Sequence, residues 1–472
     1  MTMTNRGKSA KGQRFPLLGH LPALWRDPVR FLQGLRREGD IVTIRLGARP
    51  VYIVNSPELI QKVLVNEADK FTRGRIFEKA RPLLGNGLLT IEDAFHQRER
   101  RVMQPAFHRD RIAEYTAKMQ APISALVDAW RPGEVLEFDK EMADLALTVT
   151  ARTLCGTTLS PDVVAKVRDH LPVFMRGTQV RTILPTELFE KLPIPANRRF
   201  DAARFGLLSV VDDMIRARGA EDGDRGDLLS ILAGARYETT GERLSAEQIR
   251  DEVITVLIGG TETTAASLSW LFYELSRNPE IERRIHAELD EVLAGEPVTV
   301  ENLPKLTYTN LVLNENFRLH SPIWMLMRRV GAPIELGGVQ LEHGADVLIS
   351  PASMHRDPDL FPRPEVFDPE RWRDAKMGSA PSRTAFIPFS AGHHKCIGDN
   401  FVRTDMAVAV ATICSRWYVR LAPGHHVEEV ARITLRPNKM PMIVHPRERN
   451  VFADRKRRAQ QDEGETSCPF AG

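Results

Sequence analysis

The chain reads as a mainly α-helical protein with a small β region, and three observations carry that reading. An apolar-rich segment opens at Ser245-Ala246-Glu247-Gln248 and runs to Arg277, where Asn278-Pro279 stops it. Serine followed three residues later by glutamine is a capping-box signature; at 1.5 Å per residue the segment is about 48 Å long, enough to cross a whole domain. Residues from about 110 to 240 also read as helical, with a break at Leu192-Pro193-Ile194-Pro195. The clearest β-rich runs are Ile41 to Leu46 and Val51 to Val54, joined by the hairpin signal Gly47-Ala48-Arg49-Pro50.

In chain order, residues 1–14 are polar and basic and are expected to be a flexible N-terminal segment. Asp27-Pro28 starts a helix reaching Gly39, and Ser56-Pro57 reads as the cap and first-turn proline of another. Arg75 to Thr90 is irregular and glycine-containing, which predicts a mobile loop over a site. Phe95 to Phe107 predicts a helix with His96 and Arg100 four apart on one face. Asp222 to Asp227 reads as a charged surface loop, and Arg447 to Gly472, with the run Arg455-Lys456-Arg457-Arg458, as a flexible tail.

Composition narrows the function classes. A hydrophobic content of 42% and a charged content of 27% are ordinary for a globular chain. A net charge of +3 is too near balance to imply nucleic-acid binding. The four cysteines, Cys155, Cys396, Cys414 and Cys468, lack disulfide-framework spacing, which suits a reducing cytoplasm. No apolar run approaches the roughly 20 residues a membrane helix needs.

The chemistry centres on Phe389-Ser390-Ala391-Gly392-His393-His394-Lys395-Cys396-Ile397-Gly398. A lone thiol sits in a glycine-bounded loop directly before a helix, whose first amides can donate to a sulfur anion. His394 and Lys395 add donors that favour the thiolate. A lone cysteine in a loop is most often structural, and a closed zinc site would need a second Cys/His pair at matching spacing.

This ten-residue string closely resembles the haem-binding loop of the cytochrome P-450 family, in which the cysteine is the axial iron ligand. Other stretches resemble that family in its order. Gly259-Gly260-Thr261-Glu262-Thr263-Thr264 resembles the oxygen-activation motif, with Glu262 and Thr263 as the acid–alcohol pair that guides protons. His96, Arg100, Arg328 and His394 match the positions that bind the haem propionates. Glu315, Arg318 and Arg371 resemble the buried network that fixes the core around the haem loop, and Trp372 replaces a more usual phenylalanine.

The resemblance runs from about Phe15 to Val444 and implies a P-450 fold, a single haem domain over residues 15–445 between the terminal segments 1–14 and 446–472. It implies haem b as cofactor, Cys396 as metal ligand, and insertion of one oxygen atom of O2 into a lipophilic molecule. Ferredoxin and a ferredoxin reductase are the expected electron donors, docking near Arg98, Arg101, Lys395 and Arg403. Apolar residues on pocket-lining segments, Val256, Ile258, Ile323 to Met327 and Met440 to Met442, point to a hydrocarbon-like substrate. Leu192 to Phe200 and Trp324 to Arg329 resemble actinobacterial members that oxidise sesquiterpenes. The alternatives are a fatty-acid or polyketide hydroxylase, with Arg75 as an acid anchor, a peroxide-driven or isomerising haem-thiolate enzyme, and a haem-based sensor or carrier.

Overall fold

The computed structural model describes residues 8–10, 18–47, 49–184, 187–219, 226–237, 241–373 and 382–448. The helix that organises them spans Ala246–Arg277. Both capping-box bonds form at its start: the Gln248 amide donates to Ser245 Oγ at 3.2 Å, and the Ser245 amide donates to Gln248 Oε1 at 2.8 Å. Asn278 closes the other end, and Pro279 occupies the first turn of the next helix. Between Asp251 and Leu275 the central helix is buried on nearly every side, as a core helix apolar all round must be. Phe272 meets Phe138 of the Phe138–Leu154 helix edge-to-face, ring centres 5.2 Å apart. Each such ring contributes roughly 1.5–3 kcal/mol by leaving water.

At Gly259 to Thr264 the helix runs unbroken, although paired glycines and threonines predict a local defect. The hydroxyls are accommodated inside the ladder: Thr261 donates to the Leu257 carbonyl at 2.6 Å and Thr263 to the Gly259 carbonyl at 2.7 Å. The two glycines do different work. A Cβ at Gly260 would lie 2.9 Å from Thr150 Oγ1, so its absence lets the Phe138–Leu154 helix approach, whereas a Cβ at Gly259 would meet nothing within 4 Å.

The expected hairpin pairs Ile41–Leu46 with Arg49–Val54, antiparallel. It lies in a six-stranded sheet whose order is Lys8–Ser9, Ile41–Leu46, Arg49–Val54, Asp346–Ile349, Leu326–Val330 and Phe71–Arg73. Arg73 stands directly opposite Arg328 across the last, antiparallel pair.

Several expectations need correction. Arg75–Leu84 is a helix, not a loop; Pro82 lies inside it and Gly85 ends it with φ +52°, so both breakers sit near the last turn. Only residues 85–92 remain irregular in that region. The predicted Phe95 to Phe107 helix starts at Asp93 and stops at Met103, where Pro105 forces a tighter 3-10 turn. The region expected to be helical from 110 to 240 also holds a strand, Val135–Glu137, paired with Pro441–Pro446.

Of the expected N-terminal segment, only residues 8–10 are described, and Lys8–Ser9 pair in parallel with Val42 and Thr43. Residues 222–225 and 449–472, with the basic run and Cys468, lie outside the described residues. Among the described residues no helix is long and apolar enough to cross a membrane.

Candidate active site

The cysteine loop is held by its own backbone. The Cys396 amide donates to the Phe389 carbonyl at 2.9 Å and the Lys395 amide to the Gly392 carbonyl at 3.0 Å, around a 3-10 turn at Gly392–His394. Gly392 has φ +71°, and a Cβ there would lie 1.9 Å from the Leu64 carbonyl oxygen. Only glycine fits that approach. Gly398 caps the Asp399–Cys414 helix in an ordinary conformation, and a Cβ there would stand 4.0 Å from Cys396 Sγ.

The Cys396 side chain is exposed, yet enough protein surrounds it that burial pushes its thiol pKa up, against the Gly398 amide, Arg100 and Lys395. A metal that takes the thiolate would reverse the upward shift.

Beside the loop stands a cluster of cationic and imidazole groups. His96, on the Asp93–Met103 helix, and Arg328, on Leu326–Val330, are both buried. His96 Nε2 lies 3.2 Å from His394 Nδ1, and the Arg73 guanidinium donates to that same Nδ1 at 3.0 Å. Arg73 also donates to the carbonyls of Ile91 (3.2 Å) and Leu88 (2.9 Å). Arg100 donates to the Lys395 carbonyl at 2.7 Å, tying the helix to the cysteine loop. The structure therefore brings His96, Arg100 and His394 together, Arg73 joins them, and register places Arg328 opposite Arg73.

Arg73 was not among the residues singled out from sequence. Its signal was strand pairing with Arg328, which no local pattern reveals.

The electrostatics of this cluster are lopsided. Burial, then the charges of Arg328 and Arg100, bring Arg73 down to about 9, against Glu92; burial likewise lowers Arg328 to about 10, against Glu92. Burial and the neighbouring cations push His96 down to about 3 and His394 lower still. Glu92, itself raised chiefly by burial, accepts the Arg73 amide at 2.5 Å. Like charges directly opposite on adjacent strands are destabilising, and His96 Nδ1 is buried without a hydrogen-bond partner. An incoming pair of carboxylates would relieve both faults, so the residues fit the propionates of a haem whose iron Cys396 would hold.

Between Asp251 and Phe272 of the central helix, accessibility opens only at Gly259, Gly260, Glu262 and Thr263. Gly259 and Thr263 are four apart and share a face. Glu262 lies on another side and accepts a hydrogen bond from Thr434 at 3.2 Å. It lines a cavity of about 840 Å³ with mixed polar and apolar walls, where Lys140, Arg168, Arg432 and Arg436 stand among carboxylates such as Glu137 and Asp144.

Glu315 is fully buried. Its oxygens accept two bonds from Arg318 (2.9 and 2.8 Å), one each from Arg371 (3.0 Å) and Trp372 (2.9 Å), and the Asp368 amide at 2.9 Å. The tryptophan thus supplies a donor that phenylalanine lacks.

Several proposed pocket and docking residues are otherwise engaged. Met440 and Met442 are buried in the main core, and Trp324 is buried with its indole N–H on the Arg432 carbonyl at 2.7 Å. Ile258 lines a small apolar void of about 20 Å³ with Leu171, Leu207 and Val211. Arg75 donates to the Leu184 carbonyl at 3.2 Å. Arg403 lies against the rings of Phe317 and Phe389 and donates to Asn314, while Lys395 pairs with Asp399. Arg98 stacks on Tyr237 and pairs with Glu99.

The sequence matches the Cytochrome P450 family over residues 10–444. It is 44% identical over 432 residues to cyclooctat-9-en-7-ol 5-monooxygenase and 43% identical over 433 residues to cyclooctatin synthase, both of Streptomyces melanosporofaciens. It is 37% identical over 433 residues to pentalenene oxygenase of Streptomyces avermitilis. Each alignment covers 92% of this chain and 94% of the relative. The fold is similar to the cytochrome P450DA heme domain, with TM-score 0.84, 25% identity and coverage of 95% of this chain and 99% of that one. It is also similar in fold to retinoic-acid-bound cyanobacterial CYP120A1, with TM-score 0.83, 24% identity and coverage of 94% and 100%.

Proposed function

Because this chain belongs to the cytochrome P450 family, we propose that the enzyme, a haem monooxygenase, oxidises a terpene. The observation that carries the substrate class is the similarity, over more than nine-tenths of the chain, to three Streptomyces enzymes, two of them named as oxygenases, of cyclooctat-9-en-7-ol and of pentalenene, and the third as cyclooctatin synthase. When bound, the haem supplies the oxygen-activating chemistry. The protein's part is to hold and orient it and to move protons.

In this reading Cys396 holds the iron as thiolate, its charge supported by the Gly398 amide and by Arg100 and Lys395. His96, Arg100, Arg328 and His394, joined by Arg73, clamp the propionates through charge-assisted hydrogen bonds. Thr263 turns its hydroxyl from the Gly259 carbonyl toward the substrate side, and Glu262 resupplies it with protons from the cavity. The haem domain extends over about residues 15–445. Electrons come from a ferredoxin and its reductase, with Arg101, exposed on the Asp93–Met103 helix, as one contact, and the enzyme works in the cytoplasm.

Spectral titration of the purified protein with sesquiterpene hydrocarbons, medium-chain fatty acids and macrolides tests the substrate class. A low-spin to high-spin shift with the terpenes is expected, and a strong shift with the acids or macrolides alone would contradict it. Thr263→Ala is expected to keep consuming NADPH while diverting more of it to peroxide, and unchanged coupling would remove Thr263 from the proton path.

A further inference from the structure

Thr434 stands on the turn between the strands Glu429–Ala431 and Leu435–Pro437, far in sequence from every motif of the site. Its side chain is buried, and its hydroxyl donates to Glu262 Oε2 at 3.2 Å. The turn is pinned on both sides of it. The Trp324 indole N–H donates to the Arg432 carbonyl at 2.7 Å, and the Trp270 indole N–H donates to the Leu435 carbonyl at 3.2 Å. The Leu435 amide adds a bond to the Pro322 carbonyl at 2.8 Å, and the Arg432 amide one to Thr434's own carbonyl at 3.0 Å. Trp270 belongs to the same helix as Glu262. The hydroxyl is therefore fixed relative to the helix that carries the carboxylate.

A glutamate has three rotatable side-chain bonds, and Glu262 opens into a cavity bounded by Arg432, Arg436, Arg168 and Lys140. Lys140 and Arg168 already pair with Glu137 and Asp144, so an untethered carboxylate would swing toward Arg432 and Arg436. We propose that Thr434 is a positioning residue: it holds the Glu262 carboxylate at the inner wall of the cavity, where it takes a proton from cavity water and passes one to Thr263. In that transfer a proton from bulk solvent is relayed through the cavity water, which gains one O–H bond as it gives up another, and the carboxyl O–H forms with no hydroxide left behind. The carboxyl then returns to its charged form by giving its proton, through water, to the Thr263 hydroxyl oxygen as that hydroxyl releases its own proton to the substrate side.

This inference rests on the proton-path reading of Glu262 and Thr263, and one set of variants separates the two. The holoenzymes are wild type, Thr434→Val, Thr434→Ser, Glu262→Gln and the Thr434→Val/Glu262→Gln double variant. Subtracting the infrared spectrum of the Glu262→Gln protein isolates the Glu262 carboxylate stretch without any substrate. That stretch is expected to shift in Thr434→Val and to return in Thr434→Ser, with melting temperature and the reduced carbon monoxide band unchanged. With NADPH, a ferredoxin and its reductase, the solvent deuterium effect on NADPH oxidation and the peroxide released per NADPH are then read. Thr434→Val is expected to move peroxide release toward the Glu262→Gln value by about twofold to tenfold, the worth of one hydrogen bond. The double variant is expected to match Glu262→Gln alone. If Glu262→Gln changes both readouts while Thr434→Val behaves as wild type, Thr434 has no positioning role and the proton path stands. If Glu262→Gln itself behaves as wild type, the proton-path reading fails and the inference with it.

Discussion

Two buried charged clusters flank the same cysteine loop and are built on opposite principles. Glu315 receives five hydrogen bonds, from Arg318, Arg371, Trp372 and the Asp368 amide. Around His96 and His394, three arginines crowd, Glu92 is the carboxylate that acts on both Arg73 and Arg328, and His96 Nδ1 has no hydrogen-bond partner. The first cluster is complete in itself. The second carries an excess of positive charge that an anion would offset, and in the proposed reading the contrast separates residues that hold the fold from residues that hold a cofactor.

The contrast breaks most sharply at Glu315. Glu315→Gln removes the charge that compensates Arg318 and Arg371, and loss of one member of a buried pair costs about 3–5 kcal/mol. Little folded holoenzyme and a steeply lowered melting temperature are expected; a variant that retained its haem and its melting temperature would place the anchor elsewhere.

At Arg328 the two effects should have opposite signs. Arg328→Met removes a like charge facing Arg73, so the haem-free protein is expected to be as stable as wild type or more so, while haem passes to apomyoglobin faster, by about tenfold or more for a lost charged hydrogen bond. Parallel loss of stability and haem retention would make Arg328 a fold residue like Glu315.

A smaller, pH-dependent effect comes from His320. It is buried between Glu274, at 2.8 Å, and Glu429, at 3.5 Å, and stacks on Trp270 with ring centres 4.3 Å apart. Burial opposes its charge, but the hydrogen bond to Glu274 and the Glu429 carboxylate on its other side outweigh that and raise its pKa. A raised folded-state pKa means that its stabilisation is fully present below the unfolded value, about 6.5, and is lost as pH rises through the folded value. The melting-temperature gap between wild type and His320→Gln should therefore shrink with rising pH above about 6.5. A gap that widened would show that His320 is held neutral.

The elements were most legible where one signal was strong and local. The Ser245/Gln248 capping box and the Asn278-Pro279 stop framed the central helix almost to the residue, and Gly47 to Pro50 marked the hairpin. The Arg75–Leu84 helix is hidden in a segment whose glycines suggest a loop, although Gly85 caps the helix and Gly87 lies past its end. In the site, short motifs gave Cys396, Glu262, Thr263 and Glu315, since their neighbours carry the pattern. Arg73 and Thr434 were invisible: one reaches His394 through strand pairing with Arg328, the other reaches Glu262 across 172 positions. Side chains whose meaning depends on a distant partner carry no local signal, and that also explains why Met440 and Met442, apolar and near the end of the domain, belong to the core instead of a pocket.

The central claim is that Cys396 is the iron ligand and that the cluster beside it exists for the haem. The most direct measurement is the absorption spectrum of the reduced carbon monoxide complex in wild type and Cys396→His. Wild type is expected to show the red-shifted Soret band of thiolate ligation, and the variant is expected to lose it even where haem is retained. The same red-shifted band in Cys396→His would contradict the assignment.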